Sequence, residues 1–231
     1  MQFKIGGLQK TSLLDYPNKI SAIVFAKGCN FNCGYCHNPS LLNSKEDIYS
    51  IDIFFEFLNK RIGKLDAVVI TGGEATLQPD LIPFIKKIKE LGFAIKLDTN
   101  GYKPEILKEA LPLIDYVAMD IKAPLAKYSQ IIRKDIDTNK ISESINLIMN
   151  SNIDYEFRTT VLKSQLNYDD FKEISKLIKG AKKYYLQKFE AKSEINDETL
   201  KEETSYSNEE FKEIIEILKP NINFVKLRNW I

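Results

Sequence analysis

All the thiols of this 231-residue chain lie within one short segment, GCNFNCGYCHNP, which spans residues 28–39. The cysteines are Cys29, Cys33 and Cys36, and the single histidine of the chain, His37, follows the third of them. Thiolates are soft ligands that bind zinc ions or iron–sulfur clusters. The spacing C-x3-C-x2-C therefore predicts a metal-binding segment.

Three interpretations of these thiols are open from the residues alone. Structural zinc takes four ligands, usually as two separated pairs, and here only His37 could complete the set. His37 adjoins Cys36, and neighbouring side chains rarely reach one ion without strain. A [4Fe–4S] cluster normally takes four thiolates, so a cluster here would leave one iron open to another ligand and able to do chemistry. The cysteines could also be ordinary thiols that bind no metal, but the spacing favours the cluster.

The composition argues against several other functions. The 33 basic and 32 acidic residues nearly cancel, and the sequence has no basic stripe of the kind that nucleic-acid-binding proteins show. There is no 18-residue apolar run, so no membrane span is predicted. The N-terminus lacks a secretory signal pattern, and the odd number of cysteines suits ligands better than disulfides. We therefore expect a cytoplasmic protein.

Seven short runs are predicted to be β-strands. Several of them are apolar at consecutive positions, which is typical of strands covered on both faces, as in parallel sheets. The predicted strands are Ile20–Ala26, Asp66–Thr71, Phe93–Asp98, Tyr116–Asp120, Asp154–Val161, Tyr184–Phe189 and Asn223–Leu227.

Amphipathic helices are predicted between these strands. Ser50, Asn167 and Ser207 are the predicted N-caps, and Glu210 completes a capping box with Ser207. Further helices are predicted over Pro79–Leu91, from Pro104 onward and over Lys140–Asn150, with Pro79 and Pro104 in first helical turns.

Repeated strand–helix alternation predicts an α/β fold with parallel strands and outer helices. Six units are too few for an eight-unit barrel, so our first choice is a partial (βα)6 TIM-like barrel, and a doubly wound sheet is the second. We expect a single domain over residues 1–231. Within it, residues 1–19 form an N-terminal extension and residues 190–206 an exposed loop.

Unusual polar residues lie at the C-terminal ends of the predicted strands, and the strand Asp154–Val161 itself contains one such cluster. In parallel α/β folds these ends share one face, where sites are built. The clusters are Thr71-Gly72-Gly73-Glu74, Asp98-Thr99-Asn100-Gly101, Asp120-Ile121-Lys122 and Arg158-Thr159-Thr160.

These clusters have both functional and structural interpretations. The two glycines after the second strand would allow the backbone to approach a ligand closely, or simply form a turn. Asp98 and Asp120, with Lys122 and Arg158 nearby, predict a polar pocket for a zwitterionic or hydroxylated ligand. Arg158 could instead form an ion pair with an aspartate inside the fold.

The motifs resemble those of the radical S-adenosylmethionine (SAM) enzymes. CNFNCGYC fits their CxxxCxΦC cluster motif, with Tyr35 as the aromatic residue Φ, and the match continues through GGEATLQ, LDTNG, MDIKAP, FRTTV and YYLQKF. Together with DYPNK, these motifs resemble the glycyl-radical-enzyme activases, in particular those that activate anaerobic ribonucleoside-triphosphate reductase. Two departures are Ala75, where the family often has proline, and the lack of a cysteine-rich ferredoxin-like insert.

The resemblance implies a set of cofactor-binding residues. Cys29, Cys33 and Cys36 would hold a [4Fe–4S] cluster whose fourth iron is chelated by SAM. The implied SAM pocket consists of Tyr35, His37, Gly72, Gly73, Glu74, Asp98, Asn100, Lys122 and Arg158. A monovalent cation beside SAM is implied at Asp98, Thr99 and Asp120.

The resemblance also implies a reaction and partners. A flavodoxin or ferredoxin would supply one electron for the reductive cleavage of SAM, and the resulting 5′-deoxyadenosyl radical would take a hydrogen atom from a glycine Cα of a glycyl-radical enzyme. One alternative is a radical SAM enzyme that acts on a small molecule, similar to 7-carboxy-7-deazaguanine synthase. An alternative of another class is a non-catalytic zinc or iron–sulfur protein.

Overall fold

The structure, a computed structural model, describes residues 1–43, 49–191 and 194–228. The chain forms two compact units, each built from separate stretches of sequence. The first unit consists of residues 1–30, 40–118 and 151–154, and the second of residues 31–39, 119–150 and 155–231.

The first unit contains a sheet whose strands follow one another in chain order. These strands are β1 (Ile5–Ser12), β2 (Ser21–Ala26), β3 (Ala67–Gly72) and β4 (Ala94–Thr99). β1 is antiparallel to β2, whereas β2, β3 and β4 are parallel to one another. The carboxyl ends of the three parallel strands therefore lie at the same edge of this sheet.

The chain passes from the first unit to the second within β5 (Tyr116–Asp120). The second unit contains β6 (Asp154–Val161), β7 (Tyr184–Lys188) and β8 (Val225–Arg228). Both β6–β7 and β7–β8 are parallel pairs, so this sheet also gathers the carboxyl ends of its strands at one edge.

Helices connect most of the strands. They are α1 (Ser40–Asn43), α2 (Ile51–Asn59), α3 (Leu81–Glu90), α4 (Pro104–Ala110), α5 (Tyr128–Ile132), α6 (Asn139–Met149), α7 (Tyr168–Leu177) and α8 (Asn208–Leu218). Ser50, Asn167 and Ser207 cap α2, α7 and α8 as predicted. In the part of the chain that the structure describes, no helix is long and apolar enough to cross a membrane.

Each unit has an apolar core rich in aromatic rings. In the first, the ring of Phe84 stacks on those of Phe3 and Phe54, with centroids 4.0 and 5.2 Å apart. In the second, the rings of Tyr155 and Phe157 on β6 lie 5.4 Å apart, and both side chains are buried. Because aromatic rings bury large apolar areas, these contacts stabilise the sheets that carry the candidate site.

The α/β class and the seven predicted strands are confirmed. The seven predicted strands correspond to β2–β8, with ends shifted by at most two residues. Val68 to Ile70 on β3 are all buried, as expected for a strand of a parallel sheet that is covered on both faces.

Two details differ from the sequence prediction. Residues 1–19 contain β1, which pairs with β2 through an irregular register and has two glycines that hide the strand pattern. Pro79 does not lie in the first turn of a helix. The nitrogen of Leu81 donates to the carbonyl of Gln78 in a turn, and the carbonyl of Asp80 accepts the first bond of α3, so the helix begins at Leu81.

Candidate active site

The cysteine segment follows β2 and contributes to both units. Cys29 is described with the first unit, and Cys33 and Cys36 with the second. All three cysteines lie in the described part of the chain, and none of them forms a disulfide there. Cys33 is 7% exposed, whereas the other two are half-buried. Their thiols are therefore available as ligands.

Gly72, the last residue of β3, and Gly73 pack against the backbone that leads into the cysteine segment. The nitrogen of Gly73 donates to the carbonyl of Ala26, and that of Glu74 to the carbonyl of Gly28, both at 2.8 Å. A Cβ on Gly73 would lie 2.1 Å from the carbonyl oxygen of Gly28, and Gly72 has a φ of +111°. The close approach is therefore to protein backbone, and it holds the start of the cysteine segment.

Glu74 is a buried carboxylate that its own unit saturates with hydrogen bonds. It accepts from the nitrogen and hydroxyl of Thr76, from the hydroxyl of Thr99 at 2.7 Å and from the nitrogen of Asn100 at 2.6 Å. Burial raises the pKa of Glu74, and these hydrogen bonds oppose that rise. Glu74 thus joins the turn after β3 to the end of β4.

Asn100 connects the end of β4 to the cysteine segment. Its Nδ2 donates to Oδ1 of Asn30 at 2.8 Å and to Sγ of Cys29 at 3.9 Å, and the side chain is 5% exposed. A donor aimed at a thiolate stabilises its negative charge and orients it as a ligand. The structure therefore brings together Glu74, Thr99, Asn100 and Cys29.

Asp98 makes a separate set of contacts. Its Oδ1 accepts from Nζ of Lys96 at 2.6 Å, and its Oδ2 accepts from the hydroxyl of Thr71 at 3.1 Å. Thr99 points its hydroxyl to Glu74 instead, because neighbouring side chains of a strand face opposite sides. The side chains of Asp98 and Thr99 therefore do not face a common point.

In the second unit, Asp120 at the end of β5 lies between two cations. Its Oδ1 accepts from Nε of Arg158 at 2.9 Å, and its Oδ2 from Nζ of Lys122 at 3.1 Å. The ion pair considered for Arg158 from the sequence is therefore present. This grouping places a carboxylate, an ammonium and a guanidinium together where β5 ends.

The charges of Asp120, Lys122 and Arg158 shift the pKa values of Asp120 and Lys122 strongly. Burial by itself would raise the pKa of Asp120, but the charges and hydrogen bonds of Arg158 and Lys122 hold that pKa at about 2. Burial would lower the pKa of Lys122, but the negative charge of Asp120 and the neighbouring Tyr35 and Cys33 raise it well above 10.5. Asp120 and Lys122 are therefore both charged at neutral pH.

Lys122 also acts on the cysteine segment. Its Nζ lies 5.8 Å from the ring centroid of Tyr35. Burial raises the pKa of the Cys33 thiol, and the positive charge of Lys122 opposes this rise. Lys122 is thus placed to stabilise Cys33 as a thiolate, the form that binds metal.

A second contact to the cysteine segment comes from a residue that the sequence did not suggest. Asn196 donates from its backbone nitrogen to the carbonyl of Cys36 at 3.0 Å, and from Nδ2 to the carbonyl of Cys33 at 3.1 Å. The same Nδ2 donates to Oδ1 of Asn32 at 2.8 Å. These bonds satisfy the main-chain carbonyls of two cysteines, so they fix the path of the segment between them.

Asp197 extends this contact to the glycine between those two cysteines. Its nitrogen donates to the carbonyl of Gly34 at 2.9 Å, and its carboxylate is paired with the guanidinium of Arg133. A Cβ on Gly34 would lie 2.7 Å from that guanidinium, so a larger residue there would displace the end of the Arg133 side chain. No local sequence pattern links residues so far apart, which is why these positions were missed.

The stretch 190–206 is therefore not simply an exposed loop. Apart from residues 192–193, which lie outside the described residues, it contains the buried side chains Ile195, Leu200 and Tyr206, each below 10% exposed. Just before it, Phe189 stacks on the ring of His37, with centroids 5.6 Å apart. These apolar residues anchor the stretch because they are buried, and they are spaced too widely among polar residues for composition to reveal them.

The residue types suit an iron–sulfur cluster and do not suit a monovalent cation, although among the described residues no three histidine, cysteine or acidic side chains are grouped as they would be around a metal ion. The first is supported by three thiols without disulfides, a hydrogen-bond donor at Cys29 and a cation near Cys33. The second is opposed because Asp98 already faces the ammonium of Lys96, and Asp120 already faces Arg158 and Lys122.

Comparison with known proteins agrees with this reading of the thiols. The profile of the Radical SAM superfamily matches residues 23–178. A protein of Methanocaldococcus jannaschii that is named a glycyl-radical enzyme activating enzyme is 35% identical over 235 residues, which cover 99% of this chain and 97% of that protein. The pyruvate formate-lyase-activating enzyme of Clostridium pasteurianum is 35% identical over 127 residues, 52% of each chain.

A solved structure supports the fold. A radical SAM methyltransferase from Sphaerobacter thermophilus superposes with a TM-score of 0.72 at 15% identity, covering 95% of this chain and 69% of that one. This likeness confirms the predicted α/β fold of the radical SAM type. Since the family profile covers most of the chain and a relative matches it from end to end, the chain belongs to the radical SAM superfamily.

Proposed function

We propose that the protein is an activase that cleaves SAM and installs a glycyl radical on a partner enzyme, an anaerobic ribonucleoside-triphosphate reductase. The observation that carries this proposal is the set of three cysteine thiols on one segment of a chain that matches a glycyl-radical enzyme activating enzyme over its whole length. The choice of reductase as partner rests on the motifs DYPNK, GGEATLQ and LDTNG. We place the reaction in the cytoplasm, where thiols stay reduced.

In this proposal, Cys29, Cys33 and Cys36 hold a [4Fe–4S] cluster. Such a cluster would supply one electron, taken from a flavodoxin or ferredoxin, for the cleavage of SAM into methionine and a 5′-deoxyadenosyl radical. That radical would take one hydrogen atom from a glycine Cα of the partner, giving 5′-deoxyadenosine and the glycyl radical. Asn100 donates to the thiolate of Cys29, and Lys122 stabilises that of Cys33.

The remaining residues would form the SAM pocket. We propose that Tyr35 and His37 lie beside the cluster and the adenine, and that Lys122 and Arg158 lie near the carboxylate and ribose. Support comes from the positive charges grouped around Asp120 and from the burial of Tyr35. The further members proposed for this pocket are Gly72, Gly73, Glu74, Asp98 and Asn100, with Glu74 acting through the turn that it holds rather than by a free carboxylate.

The test is an assay on anaerobically reconstituted protein with a reductant and SAM. Formation of 5′-deoxyadenosine and methionine, with a glycyl-radical EPR doublet on an added anaerobic ribonucleotide reductase, is the expected result. Cleavage of SAM without the doublet would overturn the partner and favour a small-molecule substrate. The absence of cleavage by protein with a fully loaded cluster would overturn the activity itself.

A matched pair of variants controls this assay. Cys33→Ala removes a proposed ligand and is expected to abolish SAM cleavage, because a cluster held by two thiolates is poorly retained. Ser151→Ala changes a half-buried hydroxyl far along the sequence from the cysteines and is expected to retain activity. Full activity of the Cys33 variant would contradict the cluster assignment.

A further inference from the structure

The ion pair between Lys96 and Asp98 lies inside the first unit. The two side chains are 4% and 13% exposed, and their charged atoms are 2.6 Å apart. Both residues are on β4, two positions apart, so their side chains project from the same face of the strand. On the neighbouring strand β3, Thr71 donates to the other oxygen of the same carboxylate at 3.1 Å.

The strand geometry fixes where the ammonium lies. Lys96 is paired in register with Val69, which is 1% exposed, so the stem of the lysine runs between apolar neighbours. A buried ammonium is strongly disfavoured unless an opposite charge faces it. Asp98 provides that charge, and the pairing is therefore a requirement of the fold at this position.

Asp98 is also one of the residues where the family resemblance implies a monovalent cation. An ammonium group is a compact point charge, as a small inorganic cation is. In this chain the ammonium already occupies the contact with Oδ1 of Asp98. Asp120, the other carboxylate of the implied cation site, likewise faces Arg158 and Lys122.

We propose that the ammonium of Lys96 serves as the fixed positive charge at Asp98, so that SAM cleavage by this protein requires no inorganic monovalent cation. Lys96 is then a positioning residue that acts through Asp98. This inference rests on the proposed SAM chemistry. The role of Lys96 as the fixed charge at Asp98 can also be measured on the metal-free protein, without that chemistry.

The central experiment compares the wild-type protein with Lys96→Met, which keeps an unbranched stem and loses the charge. SAM cleavage is measured with photoreduced deazaflavin as the reductant, at equal ionic strength, with K⁺, Na⁺ or choline as the monovalent cation. We expect wild-type rates to agree within about twofold, and the variant to be about tenfold slower in choline and restored by K⁺ or Na⁺. The reason is that the carboxylate left without its partner takes up a cation.

A second readout needs neither cluster nor SAM. The thermal midpoint of the metal-free Lys96→Met protein is expected to rise as K⁺ replaces choline, whereas that of the wild type stays constant. Lys60→Met is the matched control, because Lys60 pairs with Glu56 on the exposed face of α2, and it is expected to behave as the wild type in both assays.

Three results would overturn the inference. They are a wild-type rate that depends strongly on the cation, a wild-type thermal midpoint that rises with K⁺, and a Lys96→Met protein that responds to K⁺ in neither assay. If Lys96→Met fails to fold, the wild-type titrations still decide, and Lys96→Arg is expected to stay independent of the cation. A wild-type protein that never cleaves SAM would refute the proposed function, while the thermal measurement would still test the role of Lys96.

Discussion

Nδ2 of Asn100 lies 3.9 Å from Sγ of Cys29 and 2.8 Å from Oδ1 of Asn30. The shorter hydrogen bond, to Asn30, therefore orients the side-chain amide, which also donates to the sulfur of Cys29. Since the Asn100 nitrogen itself donates to the buried Glu74, the orientation of this amide depends on the whole turn at the end of β4. The thiol of Cys29, a proposed cluster ligand, thus receives a hydrogen bond whose direction is set by the fold.

Replacement of Asn100 by alanine should lower the midpoint potential of the reconstituted cluster. A donor to a ligand sulfur stabilises the reduced form, which carries more negative charge. A bond of about 0.5 to 1.5 kcal/mol corresponds to about 20 to 60 mV for a one-electron couple. An EPR-monitored redox titration measures the shift. Asn59→Ala, which removes a bond within α2, is the control, and equal potentials in all three proteins would refute the role of Asn100.

Asn196→Ala should weaken both folding and cluster retention. The variant loses the side-chain bonds to the carbonyl of Cys33 and to Asn32, and we expect a loss of about 1 to 2 kcal/mol in the free energy of unfolding. Urea unfolding of the metal-free protein measures the first effect, and iron per chain after desalting measures the second. Asn150→Ala removes an exposed hydrogen bond from a side-chain amide to the carbonyl of Asn146 at the end of α6. This control variant should leave the iron content unchanged. Normal iron content in the Asn196 variant would be the contrary result.

Gly73→Ala should be much more damaging than alanine at another glycine. The added Cβ would meet the carbonyl oxygen of Gly28 at 2.1 Å, and the turn must move to relieve that overlap, at a cost of about 2 to 3 kcal/mol. Gly63 has a positive φ of +73°, but a Cβ there meets no atom within 4 Å, so its alanine variant should lose only about 1 kcal/mol. Urea unfolding distinguishes the two, and similar losses would contradict the close approach.

The ionisation of Asp120 predicts a pH dependence of stability. Its pKa in the folded protein is about 2, against an ordinary value of 3.8. Because the folded value is the lower one, the carboxylate contributes stability that is complete above about pH 4 and is lost as the pH falls toward about 2. The difference corresponds to about 2 kcal/mol.

Urea unfolding of the metal-free protein between neutral and acid pH tests this expectation. Asp120→Asn should be less stable than the wild type at neutral pH, because it leaves Arg158 and Lys122 without their carboxylate. The difference in free energy of unfolding between the wild type and Asp120→Asn should become smaller at acid pH. A constant difference across the range would show that Asp120 does not ionise as described. Asp169→Asn, which changes an exposed carboxylate, is the control.

The sequence predicted the parallel strands well because their signal is local. A run such as Asp66–Thr71 is short, apolar and β-branched, and the strand appears almost where the pattern places it. β1 was missed because Gly6 and Gly7 and the polar residues after them do not form a strand pattern by themselves. Its structure depends on pairing with β2, which is a tertiary contact.

The residues of the candidate site likewise fall into those that local motifs predict and those that only tertiary contacts reveal. The cysteines, Glu74, Asn100 and Lys122 lie in motifs that can be read directly from the chain. Lys96 stands out only once its strand is known to be buried, and Asn196 only once its distant partner is known. Contacts made through main-chain carbonyls, such as that of Cys33, leave no trace in the identity of the residue that accepts them.

The contact between Asn196 and Cys33 also has a consequence for the folding of the chain during its synthesis. The two residues are 163 positions apart, and a ribosome makes the cysteine segment long before the asparagine that supports it. The nascent chain therefore exposes its thiols before their scaffold exists. If the proposed cluster is delivered after Asn196 has been made, the cysteine segment is already held in place by it. If the cluster is delivered earlier, the cysteine segment still lacks that support.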